Sequence, residues 1–336
     1  MSGDSAYQFC AVTGAVRLAD GRIAVANAGT SEFRYYDEAG ACLGAAGRGG
    51  PGEFGFMNAL TAISGDTLVA WDGRLRRVSR WTDDGAFVGS GNVVASFANA
   101  PQFLGVVGDT AFALGDRILS IPSTGFEATD VHFIRASFDG AVRDTIGTFT
   151  IGRMGRLGDT GLVGGPAFEP QTVTAAGPWG LAVGWAAEPE VRYHGGGSAE
   201  PSRITRWAEP PRSVTDEDIA RYRERELGRA DSPDGRRRIE AILEARPIPD
   251  VFPYFDELTT DRAGNLWVRI YAPPGDTLPR SWWVLDPEGR MIARAEIPRA
   301  VQRVLEIGED HLLGIVRDEL DVEHVHMYGL VREEAG

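Results

Sequence analysis

The stretch from Gly47 to Phe87 limits what this chain can fold into more than any other. It opens as Gly47-Arg-Gly-Gly-Pro-Gly-Glu-Phe54, runs through apolar residues to Ser64, and turns at Gly65-Asp66. Leu68-Val-Ala-Trp-Asp72 follows, then the basic segment Arg74-Leu-Arg-Arg-Val-Ser-Arg-Trp81, a second turn at Asp84-Gly85, and Ala86-Phe-Val88. Glycine and aspartate tolerate positive φ, so both turns suit tight hairpins. The runs between them are about five or six residues long and rich in Val, Leu, Ile and Trp, as half-buried strands are. The stretch is therefore expected to form four short antiparallel strands.

Its turns recur. The first falls at Asp20-Gly21, Gly65-Asp66, Gly108-Asp109, Gly177-Pro178, Ala263-Gly264 and Gly308-Glu309; the second at Glu38-Ala-Gly40, Asp84-Gly85, Asp139-Gly140 and Pro287-Glu-Gly289. From Gly21 to Gly308 the first turn is spaced by 44, 43, 69, 87 and 44 residues. Three spacings match a four-stranded unit of about 40–50 residues, and the two long ones require insertions. Thr148–Pro170, rich in glycine, reads as a loop insertion. Residues 209–253 read as a helical one: Thr215-Asp-Glu-Asp218 is a capping box, Ser232-Pro233 opens a second helix and Pro247 stops it.

The Pro51-Gly-Glu-Phe54 loop, the turn, the Asp72-x-x-x-Arg76-Arg77 segment and Asp84-Gly-x-Phe87 together resemble the NHL-type repeat of six-bladed β-propellers. The match is close over Gly47–Phe87 and looser elsewhere. The resemblance implies an all-β fold: a single six-bladed β-propeller over residues 1–336, with the helical insertion between blades four and five. The blades fall at about 12–47, 58–90, 102–147, 171–208, 256–298 and 301–330. Both recurring hairpins then lie on one face of the disk. Gly47–Phe54, both insertions and the Tyr271–Arg280 loop lie on the other, which marks it as the working face. Phe54 is expected to be buried between the first two blades. Blade six has residues for only three strands, or three and a stub at Ser5–Phe9, which leaves its outer edge open to a partner.

Composition narrows the function. A net charge of −14 opposes nucleic acid and direct lipid binding. All 34 basic residues are arginine, which removes lysine Schiff-base and P-loop chemistry. Cys10 and Cys42 are expected to be unbridged and buried. With no secretory or membrane-spanning run, the expected location is cytoplasmic, peripheral to a membrane complex, or periplasmic if a leader has been removed.

Few residues form a chemical signature. Gly47-x-Gly49-x-x-Gly52 lacks the following helix that dinucleotide binding needs. No Gly-x-Ser-x-Gly, His-Glu-x-x-His or Cys-x-x-Cys is present. His324 and His326 share one side of a strand, but a metal site needs a third ligand, and packing between blades is the simpler expectation. Lactonase-like propellers hold a divalent ion with Glu, Asn and Asp side chains on the axis, and Asn27 and Asp72 are the candidates for such a site. Arg74 and Arg76 are candidate carboxylate contacts. Ile219, Tyr222, Ile239, Ile242 and Leu243 form apolar stripes expected to pack on the propeller or on a partner.

Two functions stay open. One is a non-enzymatic interaction scaffold without cofactor, such as an extrinsic subunit of a membrane or photosynthetic energy-converting complex. It would bind protein partners through the long-loop face, the helices or the edge of blade six. The other is a hydrolase, lactonase or lyase dependent on calcium or zinc, with its site at the channel mouth.

Overall fold

A computed structural model describes residues 9–47, 53–55, 57–63, 67–118, 121–196 and 199–331. Six antiparallel sheets follow one another along the chain, each paired in sequence order. The first contains β1 (Val12–Arg17), β2 (Ile23–Asn27), β3 (Glu32–Tyr36) and β4 (Cys42–Ala46); the second β5 (Met57–Ile63), β6 (Thr67–Asp72), β7 (Arg77–Trp81) and β8 (Phe87–Asn92). Blade three has β9 (Gln102–Val107), β10 (Ala111–Ile118), β11 (Phe126–Ser137), β12 (Val142–Arg156) and the short β13 (Val163–Gly164). Blade four comprises β14 (Thr172–Gly177), β15 (Gly180–Trp185), β16 (Glu190–His194) and β17 (Arg203–Arg206). Blade five comprises β18 (Phe255–Thr260), β19 (Leu266–Ile270), β20 (Arg280–Leu285) and β21 (Met291–Ile297). Blade six has three strands among the described residues: β22 (Arg303–Ile307), β23 (His311–Arg317) and β24 (Glu323–Gly329).

Strand alternation builds the ring. Successive side chains of a strand point to opposite faces, so each blade can fill the core on both of its sides. In β6, Leu68 and Ala70 pack toward blade one while Val69 and Trp71 pack toward blade three. Apolar clusters of this kind lie between blades one and two, two and three, three and four, four and five, and five and six. A sixth joins Leu313 and Ile315 of blade six to Val12, Ala15, Val25 and Tyr36 of blade one. The sheets thus close into a β-propeller. Trp282 faces blade six and its neighbour Trp283 faces blade four, as core packing requires.

A polar network reinforces the closing joint. The Glu306 carboxylate accepts from the Arg17 backbone amide at 2.8 Å and from Arg262 Nε at 2.8 Å, and lies 3.2 Å from His311 Nε2. One side chain of blade six therefore holds blades one and five together.

Several expectations need correction. Thr148–Arg156 is strand rather than loop: β12 continues through it, paired with the first half of β11, and its glycines sit among Phe149 and Ile151. Gly152 occupies a register shift at φ +134, where a side chain would be strained. Neither cysteine is bridged, but Cys10 is exposed and Cys42 half-buried, because both sit at the rim of blade one. The Gly65-Asp66 turn, most of the Gly47–Phe54 loop and Ser5–Gln8 lie outside the described residues.

The helical insertion is α1 (Asp216–Leu227) and α2 (Pro233–Ala245). Thr215 and Asp218 form the expected reciprocal capping box, and Ser232 caps α2 ahead of Pro233. Its stem is a small antiparallel bridge between Ser213 and Val251. Tyr222 and Leu243 bury their side chains against Ala167 and Phe168, so the two insertions pack on each other.

Candidate functional site

Asn27 and Asp72 do not open onto the axis. Both are fully buried at the ends of second strands, with their oxygens on the loop that leads into their own blade. Asn27 Oδ1 accepts from Cys10 N at 3.0 Å, and Asp72 accepts from the Gly55 and Leu75 amides. Asp116 does the same in blade three, accepting from Ala98 N and Asn99 N at 2.8 and 3.0 Å. In all three blades the clamp joins residues 17 apart. It is a repeated structural device, and carboxylates committed to backbone amides are poor metal ligands.

His324 and His326 are exposed on β24 rather than packed between blades. Their rings are 6.2 Å apart, and His324 Nε2 pairs with Asp318 at 3.0 Å. Among the described residues no group of three or more His, Cys, Asp or Glu side chains is placed to hold a metal ion. Among the described residues, Asn27, Asp72, His324 and His326 are therefore not brought together as a calcium or zinc centre.

The axial channel encloses about 770 Å³ and is walled by one aliphatic residue or more from each blade, including Val16, Leu60, Leu104, Ala175, Leu258 and Leu305. Its ionisable groups, Asp109, Asp261, Arg262 and Glu306, lie toward the hairpin end, where Arg262 binds Glu306 and Asp261 binds Asn265 and Trp267. Arg74 lines a separate cleft of about 590 Å³ on the long-loop face, beside Asn58 and Gln102. Arg76 stacks its guanidinium 5.2 Å from the centre of the Phe97 ring, so the two arginines serve different places. Ile219, Ile239 and Ile242 are half-buried in the insertion, and Tyr222 and Leu243 are spent within it.

The reactive groups instead gather at the long-loop mouth beside blade five. The register of β18 shifts between Phe255 and Glu257, and this bulge presents both Asp256 and Glu257 to Arg269 on β19. Arg269 lies over the Trp282 ring at 5.7 Å; its own burial opposes its charge, but the bonds to the two carboxylates hold its pKa up. Glu257 behaves differently. Burial raises its pKa despite Arg269, and the neighbouring Asp256 charge raises it further.

Arg280 and Arg303 stand close enough for their charges to act on Glu257. Their hydrogen bonds go to carbonyl oxygens, Gln302 O at 3.1 Å for Arg280 and Val12 O for Arg303. Among the described residues neither forms an ion pair, although this chain is strongly acidic. Burial lowers the pKa of both below the ordinary arginine value. Beside this cluster, both insertions and the Tyr271–Arg280 loop roof a cleft of about 450 Å³ into which Asp256 also faces. Sequence reasoning selected the loops but missed Glu257, Arg269, Arg280 and Arg303, whose spacing along the chain shows no pattern. The only local signal was the acidic pair Asp256-Glu257 opening an inner strand.

No protein-family profile matches the chain, and no curated protein is similar to it in sequence. Several solved structures resemble it. A protein from Bacteroides fragilis, proposed to be exported, is 10% identical with a TM-score of 0.49, covering 99% of this chain and 94% of that one. A gluconolactonase from Xanthomonas campestris is 14% identical with a TM-score of 0.44, covering 92% and 84%. Virginiamycin B lyase from Staphylococcus aureus is 10% identical with a TM-score of 0.43, covering 98% and 87%. These likenesses concern the fold alone. No helix among the described residues is long and apolar enough to cross a membrane.

Proposed function

We propose that this chain is an enzyme of the hydrolase or lyase class that acts on a small anionic molecule at the long-loop mouth. One observation carries the reading: a half-buried carboxylate, Glu257, beside two arginines, Arg280 and Arg303, that pair with no carboxylate among the described residues. A carboxyl whose pKa is raised by burial is a stronger base when ionised than an ordinary glutamate, which favours it as a group that takes and returns a proton. Arginines bonded only to carbonyl oxygens suit a substrate carboxylate or a developing oxyanion. As a carboxylate, Glu257 would take the proton of an attacking water, or one next to a substrate carbonyl, and return it to the leaving oxygen. Arg269 holds Glu257 in place. No step uses a metal.

The interaction-scaffold reading retains less support, because Tyr222 and Leu243 are occupied inside the chain. The NHL-type subtype of Gly47–Phe87 remains part of our proposal. The test is a hydrolysis and elimination screen over anionic lactones, aryl esters and β-substituted acids, with and without EDTA. We expect turnover that survives EDTA and falls roughly 10²–10⁴-fold in Glu257→Gln, the range for loss of a general acid–base. Its activity limb should lie above the ordinary glutamate value. Full turnover in a folded Glu257→Gln variant, or none across the panel, would sink the assignment.

A further inference from the structure

The roofed cleft beside this cluster is lined by more arginines than carboxylates. Arg225, Arg229, Arg246 and Arg299 line it, against only Glu226 and Asp256. Glu226 is shared between Arg225 at 2.9 Å and Arg229 at 3.2 Å, and Asp256 is bound by Arg269. Arg246 donates to the Tyr222 hydroxyl at 2.9 Å, and its buried Nε has no partner. Arg299 donates through Nε to Leu278 O, and its Nη2 reaches only a 3.5 Å contact with Asp276. The guanidinium groups thus exceed the carboxylates that could neutralise them, in a chain with a net charge of −14.

Phe168, Tyr222 and Tyr271 border the cleft, and Phe252 packs behind them. Phe168 lies 5.0 Å from Tyr222 and 5.0 Å from Phe252, and Phe252 stacks on Tyr271 at 5.6 Å. Phe168 is held at φ +52, a left-handed conformation that a bulky residue adopts only when its surroundings impose it. Burial and the Asp256 charge push the Tyr271 hydroxyl up to about 12, so it stays a neutral donor at physiological pH.

We infer that this cleft binds a small organic dianion with an aromatic or flat apolar body, its two negative charges met by Arg229, Arg246 and Arg299. A volume of about 450 Å³ is within the range of small-molecule sites, and a lining with four arginines beside the bordering rings of Phe168 and Tyr271 favours an anionic ligand. The inference builds on the proposed function only in taking this body to be the part of the substrate that does not react. Dicarboxylates and phosphate monoesters share the required chemistry.

Isothermal titration of the full chain with phthalate and with phenyl phosphate tests it, with benzoate and benzyltrimethylammonium as controls. We expect saturable binding of at least one dianion, weaker binding of benzoate, none of the cation, and affinity that falls with added salt. The stronger of the two dianions identifies the anionic group. Arg229→Gln changes an exposed residue and leaves folding intact; Arg246→Gln reaches deeper. Each should weaken the dianion by about tenfold, the loss of one charge-assisted hydrogen bond. No saturable binding, or unchanged binding in both folded variants, overturns the inference. Dianion binding retained in a Glu257→Gln variant, with turnover absent even in the wild-type chain, would instead count against the catalytic reading alone.

Discussion

Phe54 shows how a single ring sets the spacing between two blades. It is buried between Phe33 at 6.2 Å and Trp81 at 5.7 Å, and a Cβ on Gly47, which sits at φ +90, would meet its edge at 2.5 Å. Phe54→Ala is expected to cost about 3–5 kcal/mol in a urea unfolding experiment, as for other buried aromatics. A loss well below that range would mean the joint repacks. His311 supplies a pH dependence. Its hydrogen bond to Glu306 is the main reason its pKa is raised, with burial opposing and Asp310 assisting. Arg262 and the Arg17 amide also face Glu306, and the Arg17 charge lowers the His311 value slightly. Because the folded value exceeds the ordinary 6.5, the contribution is complete below 6.5 and disappears as pH rises through the folded value. The urea midpoint should fall across that window in the wild-type chain, and His311→Gln should lack that part of the decline.

At the scale of elements, the clamps from Asn27, Asp72 and Asp116 fix where the chain enters blades one, two and three. Asp116→Ala would leave the Ala98 and Asn99 amides without their acceptor, at about 1–3 kcal/mol for each group left buried and unpaired. Chemical denaturation would read the sum, and a neutral result would show that water replaces the carboxylate. The turns were legible in the sequence because a hairpin demands positive φ, and glycine and aspartate advertise it. The clamps were not, since a carboxylate bound to backbone amides needs nothing recognisable in the residues it binds. Thr148–Arg156 misled for the opposite reason: its glycines suggested a loop, while Phe149 and Ile151 between them carried the strand. The mouth was illegible because Glu257, Arg269, Arg280 and Arg303 come from four strands and meet only when blades five and six are in place.

For the whole molecule, the uneven ring has measurable effects. Among the described residues β24 pairs only with β23, and Leu320 and Met327 beside and within it are 84% and 43% exposed. Its outward amides should exchange with deuterium faster than those of any inner strand, and protection equal to the inner strands would reveal a covering segment. A propeller behaves as a hoop, in which each joint is loaded by all the others. Five joints here lie between neighbours consecutive in the chain, while the sixth has to fasten the last blade to the first. Glu306 works there as a clasp, gripping Arg17, Arg262 and His311 with one carboxylate. No peptide link closes that joint, so with the clasp released it rests on the Leu313 and Ile315 cluster and on the bonds of Glu323 and Arg303 to Val12, and the disk opens more readily into an arc without any blade unfolding. Glu306→Ala should therefore broaden the particle seen by small-angle scattering while circular dichroism keeps its β signal.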